Sequence, residues 1–264
     1  MKNGMVPIGT TQMQYVSFGT GEKTAVVLPG LSDGLATVGG KALILSMPYR
    51  KYLGEYTVYL FSRKNEMPDG YSMEEMADDQ AQAMRTLGID SAYVLGVSQG
   101  GMIAQLLAAR HPEMVTKLVP AVTASYANPV VTQVISRWME MAERGDHLSL
   151  MTDTAEKMYS ETYLQKNRRY LPVLARFTKP DSYDRFLVNA RAILNFDARS
   201  VLPDIRCPTL IIAGSEDITV GREAAGELHE AIAHSELFVY EGLGHGLFEE
   251  AKDFYEREFA FFSR

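Results

Sequence analysis

The 264-residue sequence has little of what several protein classes require. Its single cysteine, Cys207, excludes an internal disulfide framework and a cysteine-based zinc cluster. No apolar run approaches the roughly 18–20 residues that span a bilayer, and residues 1–19 hold no apolar core of a secretory signal. The 26 basic residues are outnumbered by 33 acidic ones, which argues against a general nucleic-acid binder. We therefore expect a cytoplasmic protein with neither nucleic acid nor membrane as a partner.

Short apolar runs alternate with helix-like stretches along the chain. Strands are predicted at residues 15–18, 24–28, 57–61, 92–97, 117–122, 209–213 and 236–240. Helices are predicted at residues 72–87, 99–111, 222–233 and 249–262. The strands are mostly apolar rather than alternating, which is typical of strands covered on both faces. The pattern predicts a doubly wound, mostly parallel α/β sheet. Pro120 predicts a short or edge position for its strand.

One long segment interrupts this alternation. Residues 127–197 contain no strand-like run, and their apolar residues fall at helical spacing. We expect them to form a helical cap inserted into a core made of residues 1–126 and 198–264. Trp138, Met139 and Met141 lie in this segment, where packing within the cap is the simpler interpretation. The alternative is that they line an apolar pocket.

A glycine-flanked serine lies between one predicted strand and the following helix. Gly96, Ser98 and Gly100 fit the pattern G-x-S-x-G in the sequence GVSQG. A strand that turns abruptly into a helix strains the serine and presents its hydroxyl above the carboxyl end of the sheet. The glycines leave room for neighbouring backbone, and the helix N-terminus directs N–H groups at negative charge.

With this turn and its setting, the sequence resembles the α/β-hydrolase family. The resemblance covers nearly the whole chain, from Gly19 through residues 249–262, and includes the position of the helical insertion. The chain resembles the small single-domain type of this family, which includes esterases, enol-lactone hydrolases and cofactor-free perhydrolases. The resemblance implies the α/β-hydrolase fold, a serine nucleophile followed along the chain by an acid and a histidine, and no metal or organic cofactor.

The resemblance also implies the partners of Ser98. Of the five histidines, only His245 lies in a glycine-rich loop after a late strand, as the family's catalytic histidine does. The family places its acid three residues after a glycine that ends the preceding strand, which here is Gly214. That position is Asp217, and the adjacent Glu216 is a minor alternative. The two side chains should point apart in an extended loop.

Two backbone N–H groups are candidates for binding the oxyanion of a tetrahedral intermediate. One belongs to Gln99, directly after the serine. By position in the family, the other belongs to Leu31, in the loop after the strand at residues 24–28. Relatives usually carry a histidine two residues earlier, where this chain has Pro29. Proline removes a side-chain contact and stiffens the loop, but leaves the Leu31 N–H in place.

Other polar residues carry weaker signals. His229 and His234 are five residues apart, so they cannot share one helix face as zinc ligands. Asp33 could face a pocket, although a turn-forming role is the simpler interpretation. The arginines of the insertion are interpreted as surface charges, with the alternative that one faces inward and binds an acidic substrate group. They are Arg168, Arg169, Arg176, Arg185 and Arg191.

The sequence thus predicts a serine hydrolase that acts on a small-molecule ester or lactone, as a monomer or homodimer. The same residues could instead serve an acyltransferase, a perhydrolase or a hydrolase of carbon–carbon bonds. A further alternative is a non-enzymatic ligand receptor that keeps the same side chains.

Overall fold

An eight-stranded sheet forms the centre of the molecule. A computed structural model describes residues 1–264. The strands are β1 (Lys2–Ile8), β2 (Thr11–Phe18), β3 (Lys23–Leu28), β4 (Tyr56–Lys64), β5 (Ala92–Val97), β6 (Val115–Ala121), β7 (Thr209–Gly214) and β8 (Ser235–Tyr240). Their order is β1-β2-β4-β3-β5-β6-β7-β8. The β1–β2 and β2–β4 pairs are antiparallel and the other pairs are parallel, so β3 to β8 end at the same edge.

Eleven helices connect or cover the strands. They are α1 (Ala42–Leu45), α2 (Met73–Thr86), α3 (Gln99–Arg110), α4 (Pro129–Glu143), α5 (His147–Met158), α6 (Glu161–Asn167), α7 (Leu171–Thr178), α8 (Asp184–Leu194), α9 (Ala224–Ala231), α10 (Leu247–Glu250) and α11 (Phe254–Ser263). At the start of α2, Ser72 and Glu75 form the reciprocal capping box that their spacing predicts. No helix is both long and apolar enough to cross a membrane.

Alternate residues of the central strands enter two separate hydrophobic clusters. Val26 of β3 packs into the larger cluster, with α2, α3, α9 and the inserted helices. Its neighbours Ala25 and Val27 pack into the smaller cluster, with α1 and α11. Since successive side chains of a strand point to opposite faces, helices on both sides bury the two faces of the central strands. This arrangement confirms the predicted doubly wound, mostly parallel sheet.

Helices α4 to α8 lie between β6 and β7, and the two ends of this insertion meet. Tyr126 and Asp197 form an isolated antiparallel bridge. Just inside it, the Ala127 N–H donates to the Phe196 carbonyl at 2.9 Å, and just outside it the Ala198 N–H donates to Ser125 at 2.8 Å. The insertion therefore leaves and rejoins the sheet layer at one place.

Three predictions about individual elements were wrong. β1 precedes the predicted first strand; it pairs antiparallel with β2 and buries only Val6 and Ile8, so its apolar pattern is sparse. β6 is central despite Pro120, because its pairing with β7 is confined to Leu118 and Ala121, on either side of the proline. The predicted helix at residues 249–262 is two helices, α10 and α11, because the backbone turns extended after α10.

Glu258, on α11, is fully buried, and neither carboxylate oxygen has a hydrogen-bond partner. Burial raises the pKa of this carboxyl well above its ordinary value of 4.5. The Glu258 carboxyl therefore loses its proton at lower pH in the unfolded chain than in the folded one. As a result, the free energy of unfolding falls as pH rises above about 4.5. We expect Glu258→Gln to raise the free energy of unfolding by about 1–3 kcal/mol at neutral pH and by much less near pH 4. Urea denaturation across this pH range measures it.

Glu256→Gln is the matched control for this prediction. Glu256 lies on the same helix but is half-exposed and pairs with Lys51, so its removal should change stability by less than about 1 kcal/mol at any pH. Parallel pH profiles for wild type and Glu258→Gln would contradict the prediction.

Candidate active site

Ser98 lies at a strained turn between β5 and α3. Its backbone angles are φ 55° and ψ −120°, a region that costs roughly 1–3 kcal/mol for a residue with a Cβ. Glycine is required on both sides of this turn. A Cβ on Gly96 would lie 2.4 Å from the Gly100 carbonyl oxygen, and one on Gly100 would lie 1.9 Å from that of Leu28. The close backbone packing holds Ser98 in this conformation at the carboxyl edge of the sheet.

Hydrogen bonds connect Ser98, His245 and Asp217 in one chain. His245 Nε2 lies 2.9 Å from Ser98 Oγ, and His245 Nδ1 lies 2.8 Å from Asp217 Oδ2. Because a carboxylate only accepts, Nδ1–H donates to Asp217 and Nε2 is left to accept from the serine hydroxyl. His245 and Asp217 are buried, whereas Ser98 is partly exposed.

The Asp217 carboxylate is fixed by its own loop after β7. Oδ1 accepts the backbone N–H groups of Thr219 at 2.9 Å and Val220 at 3.1 Å. The alternative acid, Glu216, points away and pairs with Arg222 at the surface. The geometry therefore brings Asp217, and not Glu216, to His245.

The loop after β3 passes beside Ser98. A Cβ on Gly30 would lie 3.3 Å from Ser98 Cβ, which places the next residue, Leu31, close to the serine. Leu31 begins a short 3₁₀ turn and Gln99 begins α3, and neither of their N–H groups is hydrogen-bonded within the protein. Two free donors thus lie on segments adjoining Ser98, as an oxyanion site requires.

A buried arginine connects the segments that carry these donors. The backbone N–H of Arg63 donates to Asp33 Oδ2, and the guanidinium Nη2 of Arg63 donates to Gln99 Oε1, both at 3.0 Å. Burial lowers the pKa of Arg63 to about 10, against the opposing influence of Asp33, so the guanidinium remains charged at neutral pH. Asp33 lies two residues after Leu31, so Arg63 fixes both donor segments relative to each other.

Helix α8 of the insertion also binds the residues that Arg63 contacts, Asp33 and Gln99. Arg185 Nη2 donates to Asp33 Oδ2 at 2.6 Å and Arg185 Nε donates to the Asp33 carbonyl at 2.9 Å. The Asn189 carbonyl accepts from the Gln99 side chain at 3.0 Å. Asp33 is therefore a buried ion-pair partner rather than only a turn residue. Arg185 faces inward, as one alternative anticipated, but it binds protein instead of being left free for a substrate.

The end of α5 packs against the other side of the site. The Gly246 N–H donates to the Met158 carbonyl at 2.7 Å, and Thr219 Oγ1 donates to the Lys157 carbonyl at 3.3 Å. A Cβ on Gly244 would lie 2.9 Å from the same Met158 oxygen. The glycines around His245 thus make room for the insertion. The insertion contacts both the loop after β8 that carries His245, called the histidine loop, and the loop after β7 that carries Asp217, called the acid loop.

Comparison with known proteins agrees with this architecture. A family model described as the alpha/beta hydrolase fold matches residues 59–252. The chain belongs to the α/β-hydrolase family. It is 30% identical to the AB hydrolase superfamily protein YisY of Bacillus subtilis, over 70% of this chain and 71% of that protein. The chain is thus an enzyme of the α/β-hydrolase superfamily.

Two further relatives differ in what their names state. RutD of Serratia proteamaculans, whose name assigns it provisionally as a carbamate hydrolase, is 29% identical over 70% of each chain. The enol-lactonase of Burkholderia xenovorans superposes with a TM-score of 0.84 at 20% identity, covering 99% of this chain and 100% of the other. At that identity the superposition supports the fold alone.

The candidate pocket residues of this α/β hydrolase lie inside the insertion. The Trp138 indole N–H donates to Asp153 at 2.8 Å, and both Trp138 and Met141 are buried in the larger hydrophobic cluster. Met139 is partly buried against that cluster. These contacts favour packing within the insertion for Trp138 and Met141, and a pocket role for the three stays a prediction.

A cavity of about 460 Å³ lies elsewhere, between the start of α2 and α8. Tyr71, Ser72, Val188 and Arg191 are among its lining residues, and Ser98 is not.

His229 and His234 are both exposed, and no group of three or more potential metal ligands occurs. Neither the cavity nor these two histidines belong to the Ser98 site.

The contact between Arg185 and Asp33 leads to a stability prediction. In Arg185→Met, the buried Asp33 carboxylate would lose its ionic partner, and we expect the free energy of unfolding to fall by about 3–5 kcal/mol. The double variant Asp33→Asn/Arg185→Met removes both charges and should recover much of that loss. Urea denaturation of the single and double variants measures the difference.

Arg191→Met serves as the control, because Arg191 is an exposed arginine on the same helix, 3.9 Å from Glu143. Equal stability of Arg185→Met and Arg191→Met would show that the buried pair does not fix α8 to the loop.

Proposed function

We propose that the chain is a serine hydrolase that cleaves a carboxylic ester or lactone of a small to medium apolar substrate. The observation that carries the proposal is the unbroken hydrogen-bond chain from Ser98 Oγ through His245 to Asp217. A serine hydroxyl is a weak nucleophile at neutral pH and needs a base, which in turn needs an acceptor to fix its tautomer. These three side chains supply each of those functions.

The proposed reaction passes through an acyl-enzyme. Ser98 Oγ attacks the carbonyl carbon while His245 Nε2 takes its proton, and the N–H groups of Leu31 and Gln99 face the developing oxyanion. Collapse breaks the bond to the leaving alkoxide, which receives the proton from His245. Water then attacks the acyl-enzyme with the same base, and the acid is released from Ser98.

The roles of the remaining regions follow from this mechanism. Residues 1–126 and 198–264 form the hydrolase core, and residues 127–197 form a cap over the site. The contacts of α5 and α8 with the loops around Ser98 support a cap that helps to shape the acyl pocket. None of these steps uses a metal or organic cofactor.

A carbamate is the second candidate substrate class. The similarity to RutD favours it, and a carbamate carbonyl can be attacked by the same serine. An ester and a carbamate bearing the same alcohol, assayed side by side, separate the two classes by their kcat/KM values.

The test is to detect and locate the acyl-enzyme. Stopped-flow assays with p-nitrophenyl esters of increasing acyl length should show a burst followed by steady turnover, with the chain-length optimum reporting the pocket. A fluorophosphonate should label the peptide that contains Ser98. Labelling without turnover on any ester or carbamate would favour the receptor alternative, and the absence of both burst and labelling would overturn the proposal.

A further inference from the structure

Helix α7 turns its apolar side to the solvent. Val173, Leu174 and Phe177 are 58%, 48% and 82% exposed, and their spacing places them on one face. Tyr170, just before the helix, is 53% exposed and extends the same stripe, whereas the small Ala175 is buried. A surface helix of a globular protein normally buries its large apolar residues and exposes polar ones. The reversed arrangement indicates that α7 contacts something outside the chain.

The charge around this stripe is opposite to that of the whole protein. Residues 162–180 contain five basic residues and no acidic one, in a chain whose net charge is −7. Arg168 pairs with Glu156. The other four have no carboxylate partner and are Lys166, Arg169, Arg176 and Lys179. Apolar side chains flanked by unpaired cations are the combination that binds an anionic lipid surface.

We propose that the α7 patch docks the protein onto an anionic lipid surface. The patch consists of the apolar residues Tyr170, Val173, Leu174 and Phe177 and the cations Lys166, Arg169, Arg176 and Lys179. The apolar side chains enter the boundary between headgroups and acyl chains, and the cations face lipid phosphates. The expectation of no membrane partner rested on the absence of a spanning segment, which a helix lying in the interface does not need.

A second copy of the chain fits the patch less well. A two-fold pairing of the patch with itself would bring like charges together. The exposed apolar residues Leu43, Ile44 and Met47 form another surface patch, but residues 41–52 contain three basic residues and no acidic one. Charge therefore opposes both pairings and favours an anionic partner.

The patch is connected to the candidate active site through one helix. α7 packs against α5, and His147 Nε2 at the start of α5 lies 3.2 Å from Thr178 Oγ1 at the end of α7. The far end of α5 contacts the histidine loop through Met158 and Gly246. Docking would thus bring the Ser98 site near a lipid phase. This last point rests on the proposed function, and the docking itself does not.

Vesicle sedimentation tests the docking directly. We expect wild type to bind vesicles containing about 30% phosphatidylglycerol and not vesicles of phosphatidylcholine alone, with binding weakened as NaCl rises from roughly 0.1 to 0.5 M. The triple variant Val173→Gln/Leu174→Gln/Phe177→Gln should lower the partition coefficient roughly 100-fold. Arg169→Gln/Arg176→Gln should lower it about fivefold for each cation removed.

Met5→Gln is the matched control, because it removes an exposed apolar side chain from strand β1 rather than from the α7 patch and should leave vesicle binding unchanged. No binding by wild type, or equal binding by the triple variant, would overturn the proposal. Dimerisation of wild type that the triple variant loses, seen by sedimentation velocity without vesicle binding, would identify a second copy as the occupant and overturn it as well.

The outcome is separable from that of the proposed function. Ser98→Ala should bind vesicles like wild type, and the triple variant should hydrolyse a short water-soluble ester like wild type. Wild type that hydrolyses the ester but does not bind vesicles rejects only the docking surface, and wild type that binds vesicles but does not hydrolyse the ester rejects only the hydrolase mechanism.

Discussion

Ser98→Ala is expected to lower kcat for a p-nitrophenyl ester by roughly 10⁴- to 10⁶-fold, because no other group in the site can form the acyl-enzyme. The thermal midpoint should change little, since alanine keeps the Cβ and the same backbone strain at φ 55°. The pre-steady-state burst should disappear with the serine. Stopped-flow kinetics and thermal unfolding of the same preparations measure both effects.

Two further serine substitutions sharpen this prediction. Ser91→Ala removes an exposed hydroxyl before β5 and should leave kcat unchanged. Ser98→Gly should be as inactive as Ser98→Ala but more stable by about 1 kcal/mol, because glycine adopts a positive φ without strain. A folded Ser98→Ala protein that retained most of its activity would exclude Ser98 as the nucleophile.

Asp217→Asn is expected to lower kcat by roughly 10⁴-fold. The amide can donate as well as accept, so His245 is no longer held with its proton on Nδ1, and Nε2 ceases to be a reliable acceptor for the Ser98 hydroxyl. The charge that stabilises the protonated imidazole during the reaction is lost as well. Steady-state kinetics at saturating substrate measure the effect.

Glu216→Gln provides the control for Asp217→Asn. The two carboxylates are adjacent in sequence, but only Glu216 points to the surface, so its substitution should change kcat less than about twofold. The reverse ranking of the two variants would assign the acid to Glu216 and contradict the geometry described above.

The segments that carry Ser98, Asp217 and His245 could be located from sequence because each has a local signature. A mostly apolar strand precedes each residue, and glycines mark the two loops in which Ser98 and His245 lie. In a parallel sheet those strands end at one edge, so three distant segments converge without any contact being known. The capping box at Ser72 was predictable for the same reason, since both partners lie within one helical turn.

The buried network around Arg63 could not be found in this way. Among Asp33, Arg63, Gln99 and Arg185, the residues that contact each other directly are 30 to 152 positions apart in the sequence. A charged residue at the end of an apolar strand was the available signal, because a buried guanidinium requires partners. No rule of spacing, however, says which carboxylate will meet it. The break between α10 and α11 was missed because both halves continue a helix-like pattern.

The paired ends of the helical insertion have a consequence for how such an enzyme can diverge. With Tyr126 and Asp197 already joined, the entropy of closing the intervening chain grows only with the logarithm of its length, so the segment can lengthen or shorten with little effect on the sheet. Exchange of the whole segment between homologues is therefore a low-penalty route to new selectivity. The ion pair between Arg185 and Asp33 limits this exchange. A new segment must carry an arginine at the position of Arg185, or Asp33 must be replaced by an uncharged residue at the same time.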